Sequence, residues 1–160
     1  MRLFSPQHPA GKGWAALLFT TLLCAPALAE SSNFGSISFA PGAKAGLTMK
    51  GYAKGVVALH KVVGNRDRNN NLCMGYGSPE PDHILVLKGN AAQLTLQVNS
   101  GKDTTLLVKG PDNKLYCADA TARGKDASLV TQSLKSGSYR IWVGTSNPGQ
   151  SYRYTLNVTD

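Results

Sequence analysis

The stretch Ser133–Gly144, SLKSGSYRIWVG, decides the fold. In its second half Tyr139, Ile141 and Val143 alternate with other residues, and side chains at that spacing lie on one face of a β-strand. Its first half is rich in serine and glycine and is typical of a turn. The stretch therefore predicts a turn followed by a strand with one face in a hydrophobic core.

The rest of the chain shows the same pattern of short strands. No helical apolar period persists, and short apolar or alternating runs are separated by Gly, Pro, Asn and Asp. Ile84–Leu87 is a continuous apolar run, and residues 152–158 alternate between apolar and polar positions. We predict an all-β protein, an antiparallel β-sandwich of about eight or nine strands, that forms a single domain over residues 30–160.

Residues 1–29 have the features of a secretory signal peptide. A basic start is followed by an apolar run at residues 14–23, which is too short to span a membrane, and by small residues that end at Ala29. Cys24 does not follow a small residue, as a lipoprotein cysteine normally does. We therefore expect cleavage after Ala29, export, and no membrane anchor.

Charge and cysteine usage restrict the classes of partner. The chain has 17 Lys and Arg against 9 Asp and Glu, which gives a formal net charge of +8, but no dense basic cluster. We therefore expect no nucleic-acid partner. After cleavage two cysteines remain, Cys73 and Cys117, and in an exported protein they are expected to form one disulfide. Two buried free thiols are the alternative.

Catalytic and metal-binding patterns are weak. His60 and His83 lie beside apolar strand residues and are expected at strand ends or on the surface. Residues 67–71 imitate the start of a calcium loop, but Leu72 stands where that loop requires glycine. No serine lies in a nucleophile-elbow sequence. We expect no catalytic residue, no metal and no cofactor, and we predict that the protein is not an enzyme.

Three segments carry a family resemblance: PDHILVL (Pro81–Leu87), DTTLLVKGPDNKLYCAD (Asp103–Asp119) and SGSYRIWVG (Ser136–Gly144). Their order resembles the periplasmic inhibitors of invertebrate-type (i-type) lysozyme of Gram-negative bacteria. More distantly, it resembles the β-sandwich modules attached to secreted bacterial peptidases. The resemblance implies a periplasmic hydrolase inhibitor, lysozyme as the protein partner, a role in evading host defence, and a homodimer.

The specific element of the resemblance is Ser-Gly-x-Tyr. In the lysozyme inhibitors this motif lies on a loop that inserts into the active-site cleft of the enzyme. Here it corresponds to Ser136, Gly137 and Tyr139, with Ser138 at the variable position. The peptidase modules more often carry proline in place of the serine, so Ser136 favours the inhibitor. The implied mechanism is that the hydroxyls of Ser136 and Tyr139 hydrogen-bond the catalytic carboxyl groups.

Two aromatic residues of this stretch have alternative interpretations. Tyr139 is in phase with Ile141, which is also the pattern of a tyrosine corner, where the hydroxyl bonds to backbone. The resemblance favours a hydroxyl that points outward. Trp142 shares a face with Arg140, and both are candidate contacts at the rim of the lysozyme cleft. If the strand is central and covered on both faces, Trp142 is buried instead.

The main alternative function is a non-catalytic binding module for cell-wall glycan or another envelope component. A secreted hydrolase has less support, because the residues lack a recognisable catalytic arrangement.

Overall fold

The computed structural model describes residues 1–3, 30–43, 45–120 and 125–160. Residues 4–29, and with them nearly all of the predicted signal peptide, lie outside the described residues. The described residues form eleven strands and one short helix, α1 (His60–Val63). The strands are β1 (Ser36–Phe39), β2 (Leu47–Lys54), β3 (Val57–Ala58), β4 (Tyr76–Gly77), β5 (His83–Leu87), β6 (Ala91–Asn99), β7 (Thr104–Lys109), β8 (Leu115–Ala118), β9 (Ser128–Leu134), β10 (Gly137–Thr145) and β11 (Ser151–Thr159).

The strands form two sheets, and the predicted all-β sandwich is confirmed. Sheet A contains β1, β5, β10, β4 and β3 in that order, with β7 and then β8 joined to β10. Sheet B has the order β2-β11-β6-β9. The pairs are antiparallel except β1 with β5, which is parallel. The described strands exceed the predicted eight or nine because β3 and β4, of two residues each, are too short to leave an alternating pattern.

The strand predicted from Tyr139–Val143 is the central strand of sheet A. β5 pairs with its first half and β7 pairs with residues 140–145. Its predicted core residues Tyr139, Ile141 and Val143 are buried between the sheets, as expected. Sheet B contributes the opposite side of this core, chiefly Leu94, Leu96, Val98, Leu156 and Val158.

A second, smaller core lies on the outer face of sheet A. It is built from α1 and the loop that follows, packed on β7, β8 and β10. Its buried members are Leu59, Val63, Cys73, Leu107, Leu115, Cys117 and Trp142. The predicted disulfide between Cys73 and Cys117 is confirmed, and it fastens the covering loop to β8.

This second core decides the position of Trp142. Its side chain does share the outward phase of Arg140, but that face is covered, and Trp142 is only 4% exposed. Its indole N–H donates a hydrogen bond to the carbonyl of Pro79 at 3.2 Å. The expectation of an exposed rim contact at Trp142 is therefore wrong, because β10 is central and both of its faces are buried there.

The calcium-like pattern at residues 67–71 has a structural explanation. Asp67 accepts hydrogen bonds from the backbone N–H groups of Asn69 and Asn71 at 2.8 and 2.9 Å, and from the Asn71 amide at 3.0 Å. It also accepts the N–H of Cys117 at 3.3 Å. Burial alone would raise the pKa of Asp67, but these hydrogen bonds outweigh it and lower the pKa. The carboxylate thus holds the exposed loop together.

Candidate functional site

The predicted binding loop, Ser136–Tyr139, begins in the short turn by which the chain passes from β9 in sheet B to β10 in sheet A, and its last three residues belong to β10. Lys135 and Ser136 form this connection and are exposed. Two other connections lie beside them at the same end of the sandwich: residues 88–90, between β5 and β6, and residues 110–114, between β7 and β8. We call residues 135–138, which are this connection and the first two residues of β10, the tip.

Contacts with both neighbouring connections fasten the tip. The backbone N–H of Ser136 donates to the side-chain oxygen of Asn90 at 2.9 Å. Gly137 has a φ of 141°, and a Cβ at this position would lie 2.8 Å from Cγ of Pro111. Only glycine allows this conformation and this close approach, because any side chain would meet the proline ring.

The Tyr139 hydroxyl fastens the tip from within. Tyr139 is 3% exposed, and its hydroxyl donates to the carbonyl oxygen of Lys135 at 2.7 Å. Burial, with added repulsion from Tyr116 and Asp112, raises its pKa to about 12, so the hydroxyl stays neutral and able to donate. This is a tyrosine corner, and the expectation of an outward hydroxyl is wrong. The phase shared with Ile141 directs the ring into the core.

Ser138, the last residue of the tip, and Arg140 have their side chains on the outer face of sheet A, and we call this side the flank of the tip. The Ser138 hydroxyl donates to a carboxylate oxygen of Glu30 at 2.6 Å, and Arg140 Nε lies 3.1 Å from the other oxygen. The side chains of Arg140 and Glu30 are both about half exposed, at 44% and 42%. Glu30 is the residue that follows the predicted cleavage site, so the start of the predicted mature chain is held against this flank.

Two exposed lysines lie at the end of the sandwich that carries the tip. Lys88 and Lys135 are exposed there, whereas Lys114 is paired with Asp112 at 2.7 Å. The tip can therefore offer an ammonium group and the Ser136 hydroxyl to an acidic partner. Sequence reasoning missed Lys135 although it lies within the quoted stretch, because the motif begins one residue later.

The predicted site residues separate into three environments. Ser136 and Gly137 form the turn of the tip, and the side chains of Ser138 and Arg140 lie on its flank. Tyr139 and Trp142 are buried on opposite faces of β10. The supporting residues Asn90 and Pro111 could not be recognised from the sequence, since nothing there indicates that three distant turns meet.

A buried polar cluster occupies the other end of the sandwich core. The ring nitrogen Nε2 of His83 and the hydroxyl of Tyr154 form a hydrogen bond of 2.8 Å between the two sheets. Burial lowers the pKa of His83 to about 4, so the ring is neutral at pH 7. Burial also raises the pKa of Asp82 to about 6, against opposing hydrogen bonds from Val143 and Asn33. His83 is at a strand end, as expected, but it is 1% exposed and is not a surface residue.

Within the part of the chain that the structure describes, no three His, Cys, Asp or Glu side chains are grouped so that they could hold a metal ion. None of the helices in these residues is long and apolar enough to cross a membrane.

Comparison with known proteins finds four similar chains among solved structures. No protein-family model and no curated protein matches the chain. The chain is similar to the pre-peptidase C-terminal domain of collagenase from Bacillus anthracis, with 15% identity, coverage of 78% of this chain and 94% of that chain, and a TM-score of 0.46. It is also similar to PliG of Aeromonas hydrophila, a periplasmic inhibitor of g-type lysozyme, with 15% identity, coverage of 81% and 98%, and a TM-score of 0.45. At these values neither similarity assigns a function.

Proposed function

We propose that the protein is a periplasmic lysozyme inhibitor that inserts the tip, residues 135–138, into the active-site cleft of an i-type lysozyme. The observation that carries the proposal is the construction of the tip. Lys135 and Ser136 are exposed, yet the turn is fastened by Tyr139 from within and by Asn90 from the side. A turn that is ordered before binding loses little conformational entropy when it enters a cleft.

The chemistry of the tip suits the active site of a glycoside hydrolase. Such an enzyme carries two carboxyl groups that flank the scissile bond. The Ser136 hydroxyl and the Lys135 ammonium can donate hydrogen bonds to an ionised carboxylate where the sugar would bind, and charge-assisted bonds are the stronger ones. The exposed Lys88 adds to the positive field, which favours encounter with an acidic cleft.

The proposed role of Tyr139 differs from the one that the family resemblance implied. Its hydroxyl is committed to the carbonyl of Lys135 and supports the tip. Lys135 takes the place of Tyr139 as the second donor toward the enzyme. Arg140, half exposed on the flank, is a proposed rim contact, whereas Trp142 is not.

A cell-wall lysis assay tests the proposal directly. The purified mature protein is added to c-, g- and i-type lysozymes acting on a cell-wall suspension, and we expect inhibition of the i-type enzyme. The variants Ser136→Ala and Lys135→Gln should each weaken inhibition by about tenfold, the usual effect of losing one hydrogen bond to a charged group. Lys61→Gln makes the same charge change on α1 and should leave inhibition unaltered.

Two results would contradict the proposal. If none of the three enzyme classes is inhibited, the protein is not a lysozyme inhibitor. If the i-type enzyme is inhibited equally by the wild type and both tip variants, inhibition does not run through residues 135–138.

A further inference from the structure

The outward face of sheet B has an unusual charge pattern. In its four strands the side chains alternate between the core and solvent. Three of the outward residues are basic, Lys50, Lys54 and Arg153, and among the outward residues of these four strands, all of them described, none is acidic. Most of the others are Thr, Ser, Asn or Gln. Solvated protein surfaces usually intersperse both signs of charge, so this face favours an anionic partner.

A groove lies at one end of this face. It has a volume of about 670 Å³, and its lining includes Phe34, Tyr52, Lys50, Arg153 and Asn99. Tyr52 is 41% exposed although it is a large aromatic residue. The groove therefore combines apolar rings, two cations and an amide within a small area.

The aromatic rings and the cations of the groove are adjacent. The guanidinium carbon of Arg153 lies 5.5 Å from the centroid of the Tyr52 ring, a cation–π contact. The ring of Phe34 lies 6.3 Å from that of Tyr52. Lys50 is the diagonal neighbour of Arg153 in the β2–β11 pair, at a Cα separation of about 7–8 Å.

Among the residues that the structure describes, the carboxylate that lines the groove pairs with no cation. Asp126 accepts the backbone N–H groups of Ser100 and Gly101 at 2.7 and 3.0 Å. It also accepts the Ser100 hydroxyl at 2.6 Å. Both of its oxygens thus bond to the loop after β6, which leaves Lys50 and Arg153 available to a ligand.

We propose that this groove binds an acidic polysaccharide, a glycan chain that carries carboxylate or sulfate groups. The apolar face of a sugar ring packs on Tyr52 and Phe34, as ligand rings pack on aromatic side chains. The anionic group bonds Arg153 and Lys50, and sugar hydroxyls bond the Asn99 amide. A single-stranded nucleic acid fits less well, because grooves that follow a phosphate backbone carry a longer series of cations.

The groove and the tip lie at opposite ends of the sandwich. Strand β6 begins at Ala91, which pairs with Leu134 next to the tip, and ends at Asn99 in the groove. Eight residue steps along a strand span about 26 Å. The glycan proposal therefore stands independently of lysozyme inhibition, and the protein could hold both ligands at once.

Titration followed by backbone NMR tests the groove. The probes are an oligogalacturonate, which carries carboxylates, a heparin oligosaccharide, which carries sulfates, a neutral dextran oligosaccharide and a single-stranded oligonucleotide. We expect at least one acidic glycan to shift the signals of Lys50, Tyr52 and Arg153 and to bind at least tenfold more tightly than dextran or the oligonucleotide. Whichever acidic glycan binds identifies the anionic group.

Matched variants decide whether the groove is responsible. Arg153→Gln should weaken binding by about tenfold, as expected for one charged hydrogen-bond donor, and Tyr52→Ala should weaken it by a similar factor. Lys61→Gln makes the same charge change on α1 and should have no effect. Arg153 is exposed, so its variant is expected to fold even if Tyr52→Ala does not.

Three outcomes would overturn the proposal. They are no binding of either acidic glycan at millimolar concentration, binding of the oligonucleotide or dextran as tight as that of the glycans, and an Arg153→Gln variant that binds like the wild type. Lysis assays on the same variants keep the two proposals separate, because changes in the groove should leave lysozyme inhibition unaltered.

Discussion

Replacing Tyr139 by phenylalanine separates a supporting role from a direct contact with the enzyme. The change removes one oxygen atom and leaves the ring, which is 3% exposed and packed in the main core. The lost interaction is the 2.7 Å hydrogen bond to the carbonyl of Lys135. In the structure this bond closes the turn on which the exposed residues of the tip are presented.

The expected loss of stability follows from this bond. A hydrogen bond of this kind contributes about 1 kcal/mol net, and a carbonyl left without its partner adds a further cost that is smaller where water can reach it. Lys135 is exposed, so we expect a total loss of about 1–2 kcal/mol. For a domain of this size, that lowers Tm by about 3–8 °C. Inhibition should weaken only by about threefold to tenfold, because the donors of the tip remain.

Calorimetry and the lysis assay on the same preparation measure both effects. Tyr52→Phe is the matched control for stability, since it removes a hydroxyl from a tyrosine that is 41% exposed and should leave Tm unchanged. A Tyr139→Phe variant that abolishes inhibition while its Tm stays within about 1 °C of the wild type would contradict a purely supporting role for the hydroxyl. That result would mean that the hydroxyl bonds the enzyme and not the backbone.

Three further predictions concern stability. Replacing both Cys73 and Cys117 by serine opens a loop with a sequence separation of 44 and should cost about 4 kcal/mol, measured by denaturant unfolding. Gly137→Ala forces a side chain to a φ of 141° and against Pro111, and should cost about 1–3 kcal/mol in the same measurement. The folded state raises the pKa of Asp82 from 3.8 to about 6, so the stability contributed by its protonated form is lost as pH rises through that interval. The stability of Asp82→Asn relative to the wild type should therefore increase by about 3 kcal/mol between pH 3.5 and pH 7, and a constant difference would contradict the assignment.

Most of the fold could be predicted from local pattern. The alternation of Tyr139, Ile141 and Val143 identified the core face of β10, because a strand repeats every two residues whatever surrounds it. The two cysteines that remain after the predicted cleavage site indicated the disulfide for an equally local reason, since exported thiols tend to pair. The parallel pairing of β1 with β5 was not predictable, because the partner of a strand is chosen by contacts distant in sequence.

The turn at Ser136 and Gly137 was predicted from the motif, but the residues that surround it were not. The chain does turn there, with Ser136 exposed and Gly137 half-buried. The motif could not reveal that Asn90 and Pro111 come from two other turns to hold it. Nor could it reveal the adjacent Lys135, whose exposed ammonium group is the second donor in the proposed mechanism.

The sequence by itself determined the longer strands, their core face and the place of the turn, because each depends on the spacing of residues near one another in the chain, and it favoured the disulfide. Only the tertiary structure decided what lies against the two faces of β10. On one face the Tyr139 ring is buried in the main core, and its hydroxyl donates a hydrogen bond to the backbone carbonyl of Lys135. The other face is covered by α1 and a disulfide-bound loop, which bury Trp142. Periodicity states which side chains share a face, whereas burial depends on whether a distant segment packs there. For this reason Tyr139 and Trp142, both expected to contact the partner, are buried instead. Tyr139 supports the tip, and Trp142 packs in the core on the outer face of sheet A.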